Sequence, residues 1–168
     1  MKQIIKKTKN GKTFYEAYRY EKKDIKELKS QLNDWDKLNK KLRGRRINIP
    51  ESISESIHSA LTGSEVVKKY PYKKTFDVIR GKQRVQVKAS SNPNSPSSFS
   101  PNPNFDKVEH IILNKKGKKW EAKITSFSKK DITTHPNYKR NAPAGKRPRF
   151  VLKEEAKKLN KKAKEYRF

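Results

Sequence analysis

Residues 76–90, FDVIRGKQRVQVKAS, constrain this chain more than any other stretch. They read as two short strands joined at Arg80-Gly81-Lys82. Side chains two apart on a strand share a face, so Gln86 and Lys88 point one way while Val85 and Val87 point the other way, into a core. If the strands pair across the turn, Asp77 comes near the polar face. A carboxylate, an amide and a lysine converging on the end of a hairpin is the layout of a metal-dependent phosphodiesterase.

The charge points the same way. The 168 residues carry 44 Lys and Arg against 17 Asp and Glu, a net +27 at pH 7. Such a charge favours a polyanionic partner through counterion release. Only 31% of residues are hydrophobic, so the core is small, but 10% aromatics and a patterned centre argue against disorder. There is no cysteine, which excludes disulfides, thiolate zinc sites and cysteine nucleophiles. His58, His110 and His135 lie far apart and have no ligand spacing. No apolar run approaches ~18 residues, so no membrane span is expected, and a cytoplasmic protein is.

Around the central hairpin the chain divides into residues 1–46, a basic N-terminal hairpin and amphipathic helix, and residues 47–168. Residues 4–20 alternate about Asn10-Gly11, a two-residue turn signal, with lysines at the turn and aromatics after it. Ile25, Leu28, Leu32, Trp35, Leu38 and Leu42 form one helical stripe, a core face or a dimer seam, and Gly44 supplies a stop. Arg43, Arg45 and Arg46 make a basic cluster at its end, open to phosphate or to solvent.

Pro50 opens a second helix, with Ile53, Ile57 and Leu61 on one face and Glu51 and Glu55 on another. The helix dipole is sufficient reason for Glu51, whereas Glu55 lies further in and is a candidate for organising a site. Residues 90–104, SSNPNSPSSFSPNPN, read as a polar loop or lid. Residues 105–114 and 120–127 are strand-like, 129–150 loop-like, and 153–166 a closing helix with Leu152, Ala156, Leu159 and Ala163 at helical spacing. The sum is an α/β or α+β fold, a central mixed sheet of about four strands flanked by helices. Gly145-Lys146-Arg147-Pro148-Arg149 resembles an AT-hook core, a form suited to a minor groove, although its residue order differs.

Asp77, a gap of eight residues and then Gln86-Val87-Lys88 resembles the PD-(D/E)xK signature of type II restriction endonucleases. Ser98-Phe99-Ser100-Pro101 followed by Phe105-Asp106-Lys107-Val108, and the Pro50–Glu55 helix start, resemble segments of small bacterial enzymes that cut short interrupted palindromes. The resemblance covers about residues 49–114. It implies a restriction-endonuclease-like fold and Mg²⁺ as cofactor. Asp77, Gln86 and the Val87 carbonyl would hold the metal, Lys88 would activate water, and Glu55 would be an accessory acid. It also implies a homodimer on double-stranded DNA. Phe76 stands where the motif has proline, and Gln86 where it has Asp or Glu. An amide oxygen is a neutral, weaker Mg²⁺ ligand than a carboxylate.

Base and phosphate contacts are expected from Arg45 and Arg46, from Ser91, Asn92 and Asn94 of the Ser/Asn loop, and from Lys139, Arg140, Lys146, Arg147 and Arg149 of the basic loop. Two other readings fit the residues: a non-enzymatic basic DNA-binding protein, and a structure-specific or repair nuclease.

Overall fold

A computed structural model describes residues 2–7, 14–42, 47–69 and 75–168. The Asn10-Gly11 turn, Gly44 and the arginines at positions 43, 45 and 46 lie outside the described residues.

The alternating N-terminal stretches form antiparallel strands β1 (Lys2–Lys7) and β2 (Phe14–Arg19). Helix α1 (Ile25–Lys41) follows a short 3-10 turn and buries Leu28 and Leu32 of its stripe, while Leu38 and Leu42 remain exposed. Helix α2 (Glu51–Thr62) starts on Pro50, whose carbonyl accepts from Ser54 N–H at 3.1 Å. It stops at Gly63, where φ is +72° and a side chain would be strained.

Strands β3 (Glu65–Lys69), β4 (Val78–Arg80) and β5 (Gln83–Ser90) follow, then β6 (Ser97–Ser98), β7 (Lys107–Lys116) and β8 (Lys119–Ser128). Two short helices, α3 (Lys129–Thr133) and α4 (Pro136–Asn141), precede β9 (Arg149–Phe150), α5 (Leu152–Lys158) and β10 (Ala163–Arg167).

Eight strands form one mixed sheet in the order β1-β2-β3-β4-β5-β7-β8-β10, where the sequence suggested about four. The additions come from three places. The basic ribbon joins the sheet through β2 and β3, Glu65–Lys69 is a strand in its own right, and the C-terminus ends as a strand. The expected closing helix stops early because Asn160 turns left-handed at φ 50°. Beyond it Tyr166 and Phe168 pack on the core, and Phe168 and Trp120 exchange backbone hydrogen bonds of 2.9 and 3.0 Å. Leu159 and Ala163 of the helical stripe are consequently exposed. Residues 129–150 are likewise not simply a loop, since α3 and α4 occupy their first half.

β5 and β7 are the parallel pair of this sheet. Parallel neighbours need a crossover of a dozen or more residues. That is the role of the Ser/Asn/Pro stretch between them, and it is packed rather than free: Phe99 and Phe105 are fully buried.

Two apolar clusters sandwich the sheet. On one face Val78, Val85, Val87 and Ile111 meet Leu28 and Leu32 of α1 and Ile57 of α2. On the other, Ile79, Val108 and Phe127 meet Phe99, Phe105, Ile132, Phe150 and Leu152. The alternation of Val85 and Val87 with Gln86 and Lys88 is therefore real, with the valines under α2.

Candidate active site

The site forms just before β4 begins, where β5 continues past it. The carbonyl of Val85 accepts from Asp77 N–H at 2.9 Å, and Val67 N–H donates to the Asp77 carbonyl at 2.9 Å. The Asp77 carboxylate then accepts from Val87 N–H at 2.7 Å, replacing the strand partner that β4 no longer supplies. The N–H and C=O of one strand residue leave the same edge. The Val87 carbonyl thus shares the edge on which Asp77 lies.

Gln86 points from the opposite face to Val87, and its Oε1 is buried with no hydrogen-bond partner among the described residues. A buried acceptor in that state is destabilising by about 1–3 kcal/mol and calls for a donor or a cation. Among the described residues no group of three or more His, Asp and Glu side chains is arranged to hold a metal. The candidate donors would instead be one carboxylate, one unsatisfied amide oxygen and one edge carbonyl. These are hard oxygen ligands, and they fit Mg²⁺ completed by water and phosphate oxygens.

Lys88 is half-buried on the face that carries Gln86, with its Nζ 5.9 Å from the centre of the Phe99 ring. Burial pushes its ammonium below the usual lysine range. The charges of Asp77, Glu51 and Glu55 oppose that fall, and Arg147 adds to it. These four residues therefore surround one ammonium closely enough for their charges to be felt there.

Glu51 is the residue that sequence reasoning set aside. Its effect on Lys88 exceeds that of Glu55. Sequence periodicity locates both on α2 but does not show that the start of α2 lies near Lys88 of β5.

What holds α2 there is a buried polar bridge. His58, fully buried on α2, contacts the Glu109 carboxylate of β7 at 2.5 Å, and Glu109 also takes Arg80 at 2.6 Å and Ser126 at 3.1 Å. Burial pushes the Glu109 carboxyl up, but His58, Arg80 and Ser126 together hold it below the ordinary range. Glu109 is the register partner of Val87, so the bridge ties α2 to the strand that carries the site. The lack of ligand spacing among the histidines gave no hint of this contact.

The two segments expected to read DNA are joined. β6 pairs with β9, Phe99 N–H donates to the Pro148 carbonyl at 3.0 Å, and Tyr138 Oη donates to the Ser100 carbonyl at 2.8 Å. Lys139, Arg140, Lys146, Arg147 and Arg149 are exposed on this lobe. The AT-hook-like run is not a free arm, since Pro148 is buried and Arg149 lies in β9.

Ser91 is half-buried, whereas Asn92 and Asn94 are exposed. Part of their polar capacity is used internally. Asn92 Oδ1 accepts from Asn94 N–H at 3.1 Å, and Asn94 Oδ1 accepts from Lys153 Nζ at 3.3 Å. Arg45 and Arg46 fall outside the described residues.

A mixed sheet with a carboxylate, an amide and a lysine at a strand end, beside a basic lobe, defines a candidate nuclease. The model of the Bsp6I restriction endonuclease family matches residues 20–158. The chain belongs to that family, whose substrate is DNA. No curated protein and no solved structure matches the chain.

Proposed function

We propose that the chain is a type II restriction endonuclease of the PD-(D/E)xK kind. It hydrolyses phosphodiester bonds at a short specific site in double-stranded DNA, uses Mg²⁺, and acts as a homodimer in the bacterial cytoplasm. The observation that carries this reading is the Asp77 carboxylate bonded to the β5 backbone between Gln86 and Lys88, in a chain of that family. The two-fold pairing rests on the symmetry of palindromic sites.

Asp77, Gln86 Oε1 and the Val87 carbonyl would hold the metal. When bound, Mg²⁺ supplies Lewis-acid polarisation of the phosphate and a lowered pKa for water. The remaining work belongs to the chain. Lys88 orients the attacking water and takes up charge near the phosphate. Glu51 and Glu55 keep the lysine directed into the site, and Arg147 faces the phosphate from the lobe. Water oxygen joins phosphorus as one phosphorus–oxygen bond to sugar breaks, leaving a phosphomonoester and an alcohol.

The test is incubation of plasmid DNA with the protein and Mg²⁺. Discrete fragments that fail to form in EDTA support the proposal. Intact DNA, or a featureless smear, opposes it.

A further inference from the structure

The catalytic lysine touches the recognition lobe. Lys88 Nζ stands over the ring of Phe99, 5.9 Å from its centre, in the range where an aromatic face attracts an ammonium. Phe99 is fully buried in the crossover between β5 and β7. Its ring stacks on Phe150 at 4.8 Å, and Phe150 stacks on His135 at 3.8 Å with the rings 7° apart. The backbone is fixed before Phe99 by the β6–β9 pair, at Phe99 by its N–H to the Pro148 carbonyl, and after it by Tyr138 Oη donating to the Ser100 carbonyl. An aliphatic residue would fill the same core volume but offer nothing to a cation.

We infer that Phe99 is a positioning residue for Lys88, and that the ring stack through Phe150 to His135 makes the lobe formed by residues 90–104 and 135–150 the part that sets where the lysine stands. The inference rests on the nuclease reading above for the lysine's role. The ammonium lies between two attractions, the acids Asp77, Glu51 and Glu55 on the sheet and α2, and the ring face on the lobe. A lobe engaged on DNA shifts that balance, so recognition is transmitted to the group that orients water.

The test replaces Phe99 with 4-fluoro-, 3,5-difluoro- and 3,4,5-trifluorophenylalanine, which keep the ring's shape while draining its face of electron density. Single-turnover cleavage with Mg²⁺ should slow stepwise along the series, by about ten-fold in all. DNA affinity measured with Ca²⁺ should stay within about two-fold. In lysine-labelled protein without DNA, the Lys88 Hε protons should resonate upfield of the other lysines, lose that shift in Phe99→Leu, and move in Phe150→Leu, which breaks the stack without touching Lys88.

A rate flat across the series, or rate and affinity falling together, overturns the positioning role. An unshifted Lys88 resonance overturns the contact itself, and a Phe150→Leu spectrum identical to wild type overturns the lobe's part in it. If the unmodified protein does not cut DNA, the nuclease reading fails, and the Lys88 resonance still decides the Phe99 contact.

Discussion

Asp77 and Val87 are joined by a 2.7 Å hydrogen bond from the Val87 N–H to the carboxylate. The acid thereby completes the edge of β5. Asp77→Asn keeps an oxygen acceptor for Val87 but loses the charge. Cleavage should fall by at least ~100-fold, with Tm unchanged within about 2 °C. Asp77→Ala loses both, and the orphaned N–H should lower Tm by about 3–8 °C. An Asp77→Asn variant that cuts at the wild-type rate would remove the charge from the proposed site.

Gln86→Glu places a second carboxylate in a buried position, one residue from the backbone N–H that Asp77 accepts from. Without metal the like charges should lower Tm, and Mg²⁺ should restore it and raise it more than it does for wild type. Thermal scans with and without Mg²⁺ read this directly. A Tm indifferent to Mg²⁺ in both proteins would remove Gln86 from the metal's ligands.

Glu51→Gln and Glu55→Gln separate the two acids of α2. Glu51 acts more strongly on Lys88, so its loss should slow single-turnover cleavage more than loss of Glu55. Glu51 is exposed in the first helical turn, so the stability change should be only about 0.5 kcal/mol. A helix-dipole role alone predicts the small stability change and unaltered cleavage.

The hairpins were legible because alternation is a local property. β4–β5 and β7–β8 stand where the sequence put them, and so does the helix carrying Glu51 and Glu55. The hydrogen bond of Asp77 to the β5 backbone at Val87, and its charge effect on Lys88, followed from that register. The remaining features depend on distant contacts. Glu65–Lys69 is too short to alternate visibly, residues 163–167 carry on the lysine-rich helical pattern of a helix that Asn160 has already ended, and the pairing of Ser97–Ser98 with Arg149–Phe150 has no mark in either segment. The effect of Glu51 on Lys88 depends likewise on the His58–Glu109 bridge, which spans 51 residues.

His110 is buried on β7, its Nε2 has no partner among the described residues, and burial pushes its pKa from 6.5 down to about 4. The unfolded chain binds this proton and the folded chain does not, so stability is full above pH 6.5 and falls as pH drops towards 4. The loss amounts to about 3 kcal/mol. Urea unfolding at pH 7 and pH 4.5 should show a smaller difference for His110→Gln than for wild type. An equal difference in both would show that His110 does not set the acid sensitivity.

The central claim is that Lys88 serves cleavage rather than binding. The direct measurement is single-turnover cleavage with Mg²⁺, beside DNA affinity with Ca²⁺, for wild type and Lys88→Ala. The predicted result is wild-type cutting to discrete fragments and a variant that binds the same DNA within about three-fold while its cutting falls at least ~100-fold. A variant that cuts at the wild-type rate, or whose cutting falls only as far as its affinity, would contradict the account.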